Sequence, residues 1–205
     1  KVNGQPRIDV SGKHCIDVLM KYYGIAFVDG LITIPLARPW MKTMEGEENL
    51  GWGTKNVSTM ELSVKIAAGA VNPTLEAHAS ISASERNLGA IIEVHEFSFA
   101  SAVAGPYEIS SLPRGNGDLV ALHMENANIS GLEAKINGIE FIDNDLEILQ
   151  ETYKWTGERI PQTGYKHIDA MYLNRIGDVW PIAAAQDFRV IPTLSAAGSV
   201  PIIME

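Results

Sequence analysis

The sequence holds a single cysteine, Cys15, among its 205 residues. No disulfide can form within the chain, so the fold must rest on its core, on partner subunits, or on both. A lone thiol also suits synthesis in a reducing cytoplasm. Positive charge is scarce: 16 Lys and Arg stand against 25 Asp and Glu, for a net charge of −9. An acidic body repels phosphate, which argues against a broad nucleic-acid-binding face. No apolar run approaches the roughly 20 residues of a membrane-spanning helix, so no transmembrane segment is expected. A signal peptide and an initiating Met are both missing, and the sequence reads as a fragment or as the ordered part of a longer chain.

Catalytic signatures are missing as well. There is no Gly-x-Ser-x-Gly, no His-Glu-x-x-His and no phosphate-binding loop. Cys15 lies beside His14 on a predicted helix, where adjacent side chains diverge by about 100°, so the two do not form a nucleophile–base pair. Three of the five histidines stand two residues from a glutamate: Glu76 and His78, Glu93 and His95, His123 and Glu125. On a strand such pairs share a face and could hold a metal, but Glu and His are also common on exposed polar faces, which is the favoured reading. The acidic groups Glu45, Glu47, Glu48 and Asp143, Asp145, Glu147 could hold calcium through carboxylate oxygens. A solvated loop and a charged first helical turn explain them as well. No catalytic, cofactor-binding or metal residue is assigned, and calcium is kept only as a possibility.

What the sequence does hold is a repeat. The phrase KVNGQPRID at Lys1–Asp9 returns as KINGIEFID at Lys135–Asp143. A predicted helix follows each copy. In the first, Ile16, Leu19, Met20 and Tyr23 form one apolar stripe, with Ser11 as N-cap and Gly24 as stop. In the second, Leu146, Leu149 and Tyr153 share a face, Asp143 or Asp145 could cap, and Gly157 could stop it. Then come Gly24-x-x-x-Val28-Asp29 and Gly164-x-x-x-Ile168-Asp169, each with a tryptophan eleven residues past the aspartate, Trp40 and Trp180. Finally AAGAV at Ala67–Val71 is answered by AAGSV at Ala196–Val200. Four matches in one order indicate an internal duplication.

Outside the helices the pattern has period two, the mark of half-buried strands. Strands are predicted at 62–66, 75–81 and 132–136, and further short ones at 25–28, 31–36, 90–99, 118–125, 166–173, 187–192 and 200–205. Turn pairs separate them, including Asn137-Gly138 and Asp29-Gly30. Short strands this closely spaced leave no room for helical crossovers. The expected fold is all-β: two tandem antiparallel β-sandwiches, each with a short helix. The expected division is 1–84 for the first sandwich, 85–106 for a connector, and 107–205 for the second. About thirty residues precede the phrase in the second copy and none in the first, so leading strands of the first copy are expected ahead of Lys1.

The second half carries a resemblance. The run YEISSLPRGNGDLVALHM, then GLEAKINGIEFID, the helix LEILQETYKW and the closing VPIIME resemble the second jelly roll of the corticovirus-type major capsid protein. These are coat proteins of tailless icosahedral phages with an internal membrane. Leu112-Pro113-Arg114 resembles the family's opening stretch, Ile136-Asn137-Gly138 its turn before the helix, and Ile202–Glu205 its closing strand. Arg38-Pro39 with Met41 looks like Arg-Pro-x-Met of the first jelly roll. The resemblance implies a double jelly roll and a structural coat protein without enzymatic activity. It implies homotrimers that act as pseudo-hexameric capsomers, contacts with neighbouring capsomers, and minor capsid or membrane proteins beneath the shell. It places the protein in the virion, after synthesis in the host cytoplasm, and some relatives bind calcium. Two other readings compete. One is a carbohydrate-binding or adhesin module, for which Trp52 in a Gly-rich loop is the exposed candidate. The other is a bicupin-like enzyme, for which the His-x-His metal signature is missing.

Overall fold

A computed structural model describes residues 1–41, 50–82, 85–115, 117–143 and 146–205. Nine strands are assigned among the described residues: β1 (Ile8–Asp9), β2 (Val94–Ser101), β3 (Gly105–Pro106), β4 (Ala121–Glu125), β5 (Ile129–Ile136), β6 (Ile139–Asp143), β7 (Tyr165–Asp169), β8 (Phe188–Leu194) and β9 (Gly198–Met204). They form a five-stranded sheet, β1-β2-β9-β4-β7, and a four-stranded sheet, β3-β8-β5-β6. With β1 set aside, the orders are 2-9-4-7 and 3-8-5-6, the eight-stranded double Greek key of a jelly roll. All pairings within it are antiparallel, and only β1 joins in parallel, against β2.

Alternation explains which side chains lie between the sheets. Leu122 and Met124 of β4, Ile168 of β7 and Val200 and Ile202 of β9 point inward. They meet Leu132, Ala134 and Ile136 of β5 and Phe188, Val190 and Leu194 of β8 in one core. The opposite face of the five-stranded sheet is covered too. A helical run follows β1: Gly12–His14 is α-helical, Cys15–Met20 is a π-helix and Lys21–Tyr23 is 3-10. Its Cys15, Val18 and Leu19, with Met41 and Leu50, pack on Ile92, Val94, Tyr165, Met171 and Ile203. The layers are therefore four strands, core, five strands, and the N-terminal helical run.

The predicted caps of that run hold. The Ser11 side chain accepts a hydrogen bond from the His14 amide, and Gly24 ends the run at φ +76°. The second helix, Leu146–Gly157, stands where it was predicted, but Gly157 does not stop it by turning left-handed. That conformation falls to Glu158, at φ +56°. Gly157 is needed for another reason: a Cβ there would collide with the backbone carbonyl of Tyr172. Asp145, one of the expected caps, lies outside the described residues.

The repeated phrase makes the same corner twice. Asn3 and Gly4 have φ of +48° and +78°, and Asn137 and Gly138 have +51° and +76°. Two successive positive φ values define the type I′ hairpin turn, which Asn-Gly suits best. The asparagines also do the same work beyond the turn. Asn3 Oδ1 accepts from the amides of Ser58 and Thr59, and Asn137 Oδ1 from those of Gln186 and Asp187. The Asn3 amide donates to Thr59 O at 2.9 Å and the Asn137 amide to Asp187 O at 2.9 Å. Val2 then bridges Met60 as Ile136 pairs with Phe188. Gly24 and Gly164, matched in the repeat, both take positive φ.

Two strand predictions fail. Residues 61–66 and 75–82 carry no strand, and Leu62, Val64, Ile66, Leu75 and Ile81 are exposed. The equivalent of 60–66 in the second copy is β8, which β5 pairs along its length. In the first copy the ladder runs from Met60 and Glu61 only as far as Val2 and Lys1. A half-buried strand needs a neighbour for its backbone as well as an apolar face, and no strand pairs with residues 62–66 among the described residues. At 25–36 the pattern yields a lone bridge, Val28 to Leu31, across the Asp29-Gly30 turn. The stretch 85–106, expected as connector with a strand at Ile91–Phe99, supplies β2 and β3. It thereby begins the second jelly roll ahead of Tyr107. Local pattern could not show this, because β2 is fixed by pairing with β9 near the far end of the sequence.

Candidate functional site

The residues singled out for chemistry mostly stay apart. Glu76 and His78 are exposed, with 3.7 Å between them. Glu93 and His95 approach to 3.3 Å at a half-buried edge, and Glu93 also pairs with Arg7. No group of three His, Cys, Asp or Glu among the described residues is placed to share a metal ion. Glu45, Glu47, Glu48 and Asp145, named above for calcium, lie outside the described residues. Cys15 is buried, and burial, with the nearby Glu96 charge, pushes its thiol up to about 11. A thiol held protonated in this way is a poor nucleophile. The tryptophan reading needs correction: Trp52 is half-buried, in a loop where a Cβ on Gly53 would strike the Asn87 backbone. The exposed tryptophan is Trp155, 87% accessible on the long helix.

The third His–Glu pair belongs to something larger. His123 was expected on an exposed polar face, yet it is fully buried. It sits on the outer face of β4, between the core residues Leu122 and Met124, and is covered by the helical run. Its Nδ1 lies 2.7 Å from His167 Nδ1 on β7, and its Nε2 lies 3.0 Å from Glu205 Oε1 at the end of β9. Glu205 also accepts from the Tyr23 hydroxyl at 2.9 Å and from Arg38. Beyond His167, the Gln162 amide donates to His167 Nε2 at 3.3 Å, and Tyr22 stacks on the ring at 4.2 Å. The Tyr22 hydroxyl donates to Asp169, which Arg159 holds through Nε at 2.7 Å. Arg159 uses its other nitrogens on the carbonyls of Gly157 and Met171. The two arginines enclose aromatic rings: Arg38 lies over Tyr23 and Trp40, and Arg159 over Tyr22 and Tyr23.

Electrostatics follow from burial. Burial alone would raise the Glu205 carboxyl, but the Arg38 charge and the hydrogen bonds from His123 and Tyr23 outweigh it and hold the group at about 2. Burial dominates at Asp169 and keeps its carboxyl above the usual range despite Arg159. It also drives His167 well below the ordinary imidazole value, assisted by His123 and Lys166. Among the described residues a small pocket lined by Tyr23, Arg38, Trp40 and Arg159 adjoins the cluster. The cluster's members come from both ends of the chain, Tyr22, Tyr23 and Arg38 from the N-terminal part and the rest from the jelly roll. What it can do chemically is fasten one to the other.

A second tie lies nearby. His14 Nδ1 is 2.9 Å from Glu96 and its Nε2 is 2.8 Å from Glu125, so β2 and β4 both hold the start of the helical run. Sequence reasoning named Arg38, His123 and Glu205 only as parts of motifs. A usable signal was present: ALHME and YKHID each set one histidine on the face opposite an apolar core.

Comparison with known proteins addresses what such a molecule is for. A family model described as viral coat protein P2 N-terminal domain matches residues 1–82, and one described as viral coat protein P2 C-terminal domain matches residues 91–205. The chain belongs to the viral coat protein P2 family. It is thus a structural coat protein of the virion capsid, of the corticovirus type that its sequence resembles. Among solved structures, that of the major capsid protein P2 from Bacteriophage PM2 is similar, with a TM-score of 0.74 at 20% identity, over 90% of this chain and 70% of that chain. The likeness supports the all-β double jelly-roll fold expected from the resemblance. No curated protein matches by sequence. No helix among the described residues is long and apolar enough to cross a membrane.

Proposed function

We propose that this P2-family coat protein assembles as a homotrimer whose six jelly rolls form a pseudo-hexameric capsomer. Hexagonal packing needs six similar flanks, and three copies of a doubled domain supply them. The observation that carries the reading is the duplicated Asn-Gly corner, in which Asn3 and Asn137 have the same φ and the same two amide partners. In this reading the first unit ends near residue 84 and the second runs to Glu205, with a short connector ahead of β2 between them. Its partners are neighbouring capsomers and proteins beneath the shell. It contacts no nucleic acid and carries no catalytic function, in keeping with a net charge of −9. Negative-stain microscopy of purified protein tests the arrangement. Hexagonal particles roughly 70–80 Å across, the size allowed by three paired sandwiches with sheets about 10 Å apart, are expected. Particles without three-fold or six-fold outline would overturn it.

A further inference from the structure

The buried histidine pair has a hydrogen-bond direction that can be read without ambiguity. The Gln162 backbone N–H can only donate, so His167 Nε2 accepts and carries no proton. His167 therefore bears its proton on Nδ1 and donates to His123 Nδ1. His123 in turn bears its proton on Nε2 and donates to the Glu205 carboxylate. Four ring nitrogens hold two protons, and each hydrogen bond has one donor. A third proton on either ring would set two donors against each other, at Gln162 or between the imidazoles.

The surroundings offer the extra charge little help. The Tyr22 ring stacks on His167 from the helical run, and Tyr165 and Lys166 flank it on its own strand. Gln150 of the long helix is committed to the His167 backbone at both N–H and C=O. The nearest carboxylates are occupied: Asp169 by Arg159 and Tyr22, and Glu205 by Arg38, Tyr23 and His123 itself. Both histidines are fully buried, so a proton reaches them only when the covering segment lifts.

We infer that the chain Gln162–His167–His123–Glu205 is an acid-released latch: it holds the N-terminal helical run, through Tyr22, Tyr23 and Arg38, on the jelly roll while both imidazoles are neutral, and it frees that segment once a third proton enters. The sign follows from linkage. The closed form excludes the proton, and the open form takes it up with an ordinary histidine affinity, near pH 6.5. The closed form is thus fully favoured above that pH. Below it, the opening equilibrium grows about tenfold per pH unit for each imidazole exposed, up to about a hundredfold for the pair, until the closed form itself protonates. The inference concerns one subunit and does not depend on the trimer.

Hydrogen exchange of the full chain, corrected for intrinsic rates, tests it between pH 7.5 and 5.5. The opening constant for amides of residues 15–23 is expected to rise about a hundredfold in the wild type, where both imidazoles take up a proton on opening, and about tenfold in His167→Asn, where His123 alone does. Asn keeps a donor near the Nδ1 position but cannot titrate. Strands β5 and β8 are expected to stay protected throughout. A flat wild-type profile, the same rise in the variant, or loss of β5 and β8 together with the helical run would each overturn the latch. Should His167→Asn fail to fold, ring-nitrogen NMR of the wild type decides. His167 Nε2 and His123 Nδ1 are expected to lack protons while the segment is protected, and an imidazolium in either ring of the closed form would contradict the inference.

Discussion

At the scale of single residues, the molecule's least forgiving position is Glu205. Its carboxylate is fully buried and answers the buried Arg38 guanidinium. Removing one member of such a pair leaves the other charge buried and uncompensated, which costs about 3–5 kcal/mol. Glu205→Gln is expected to lower stability by that amount at pH 7, measured by urea unfolding. The pH dependence has a definite sign. The folded group sits at about 2, against an ordinary value of 4.5, so its stabilisation is complete above 4.5 and is lost as pH falls from there toward 2. The gap between wild type and Glu205→Gln should accordingly narrow over that range. An unchanged gap at pH 3 would mean that Glu205 is not the ionised partner of Arg38. The sequence showed that these residues were present but not that they met, because the meeting joins position 38 to position 205. Period-two patterning assigns a side chain to a face; it cannot say which segment will cover that face.

Elements were legible where the backbone is paired as well as patterned. β4, β5, β8 and β9 appear close to their predicted places, because alternation there coincides with a paired backbone on both sides. The same alternation at 62–66 produced no strand; beside it, pairing is seen only between Val2 and Met60 and between Lys1 and Glu61. Both helical segments stand where their apolar stripes placed them, but the first is mostly π and 3-10 and buries Cys15, Val18 and Tyr22 beside the predicted Leu19, Met20 and Tyr23. The termination of the second was misread, because Gly157 is required by close approach to Tyr172 and not by a left-handed turn. Two measurements separate these roles. Gly157→Ala should destabilise by about 1–3 kcal/mol, the typical cost of forcing extra volume into a packed site. Gly138→Ala should cost about 1 kcal/mol through its positive φ alone, with open space around its new methyl group. Thermal or urea unfolding of the two variants checks the order. Equal costs would mean that the Gly157 contact relaxes freely.

For the whole molecule, the layering sets the functional reading. The outer sheet face of the jelly roll is closed by the N-terminal helical run, tied by Arg38–Glu205, Arg159–Asp169 and His14 between Glu96 and Glu125. Ties of this kind suit a shell, where geometry must repeat from subunit to subunit. Two tandem β-sandwiches were legible from the duplicated phrase and the strand spacing, and the double jelly-roll class came with the family resemblance. The topology 2-9-4-7 and 3-8-5-6 was not, since it depends on pairings between distant segments. The central claim is that this coat protein works as a trimer of doubled domains, and light scattering on the purified protein at micromolar concentration tests it most directly. The account predicts a particle of three times the 22.3 kDa chain mass, unchanged on dilution through the micromolar range; a stable monomer at every concentration would contradict it.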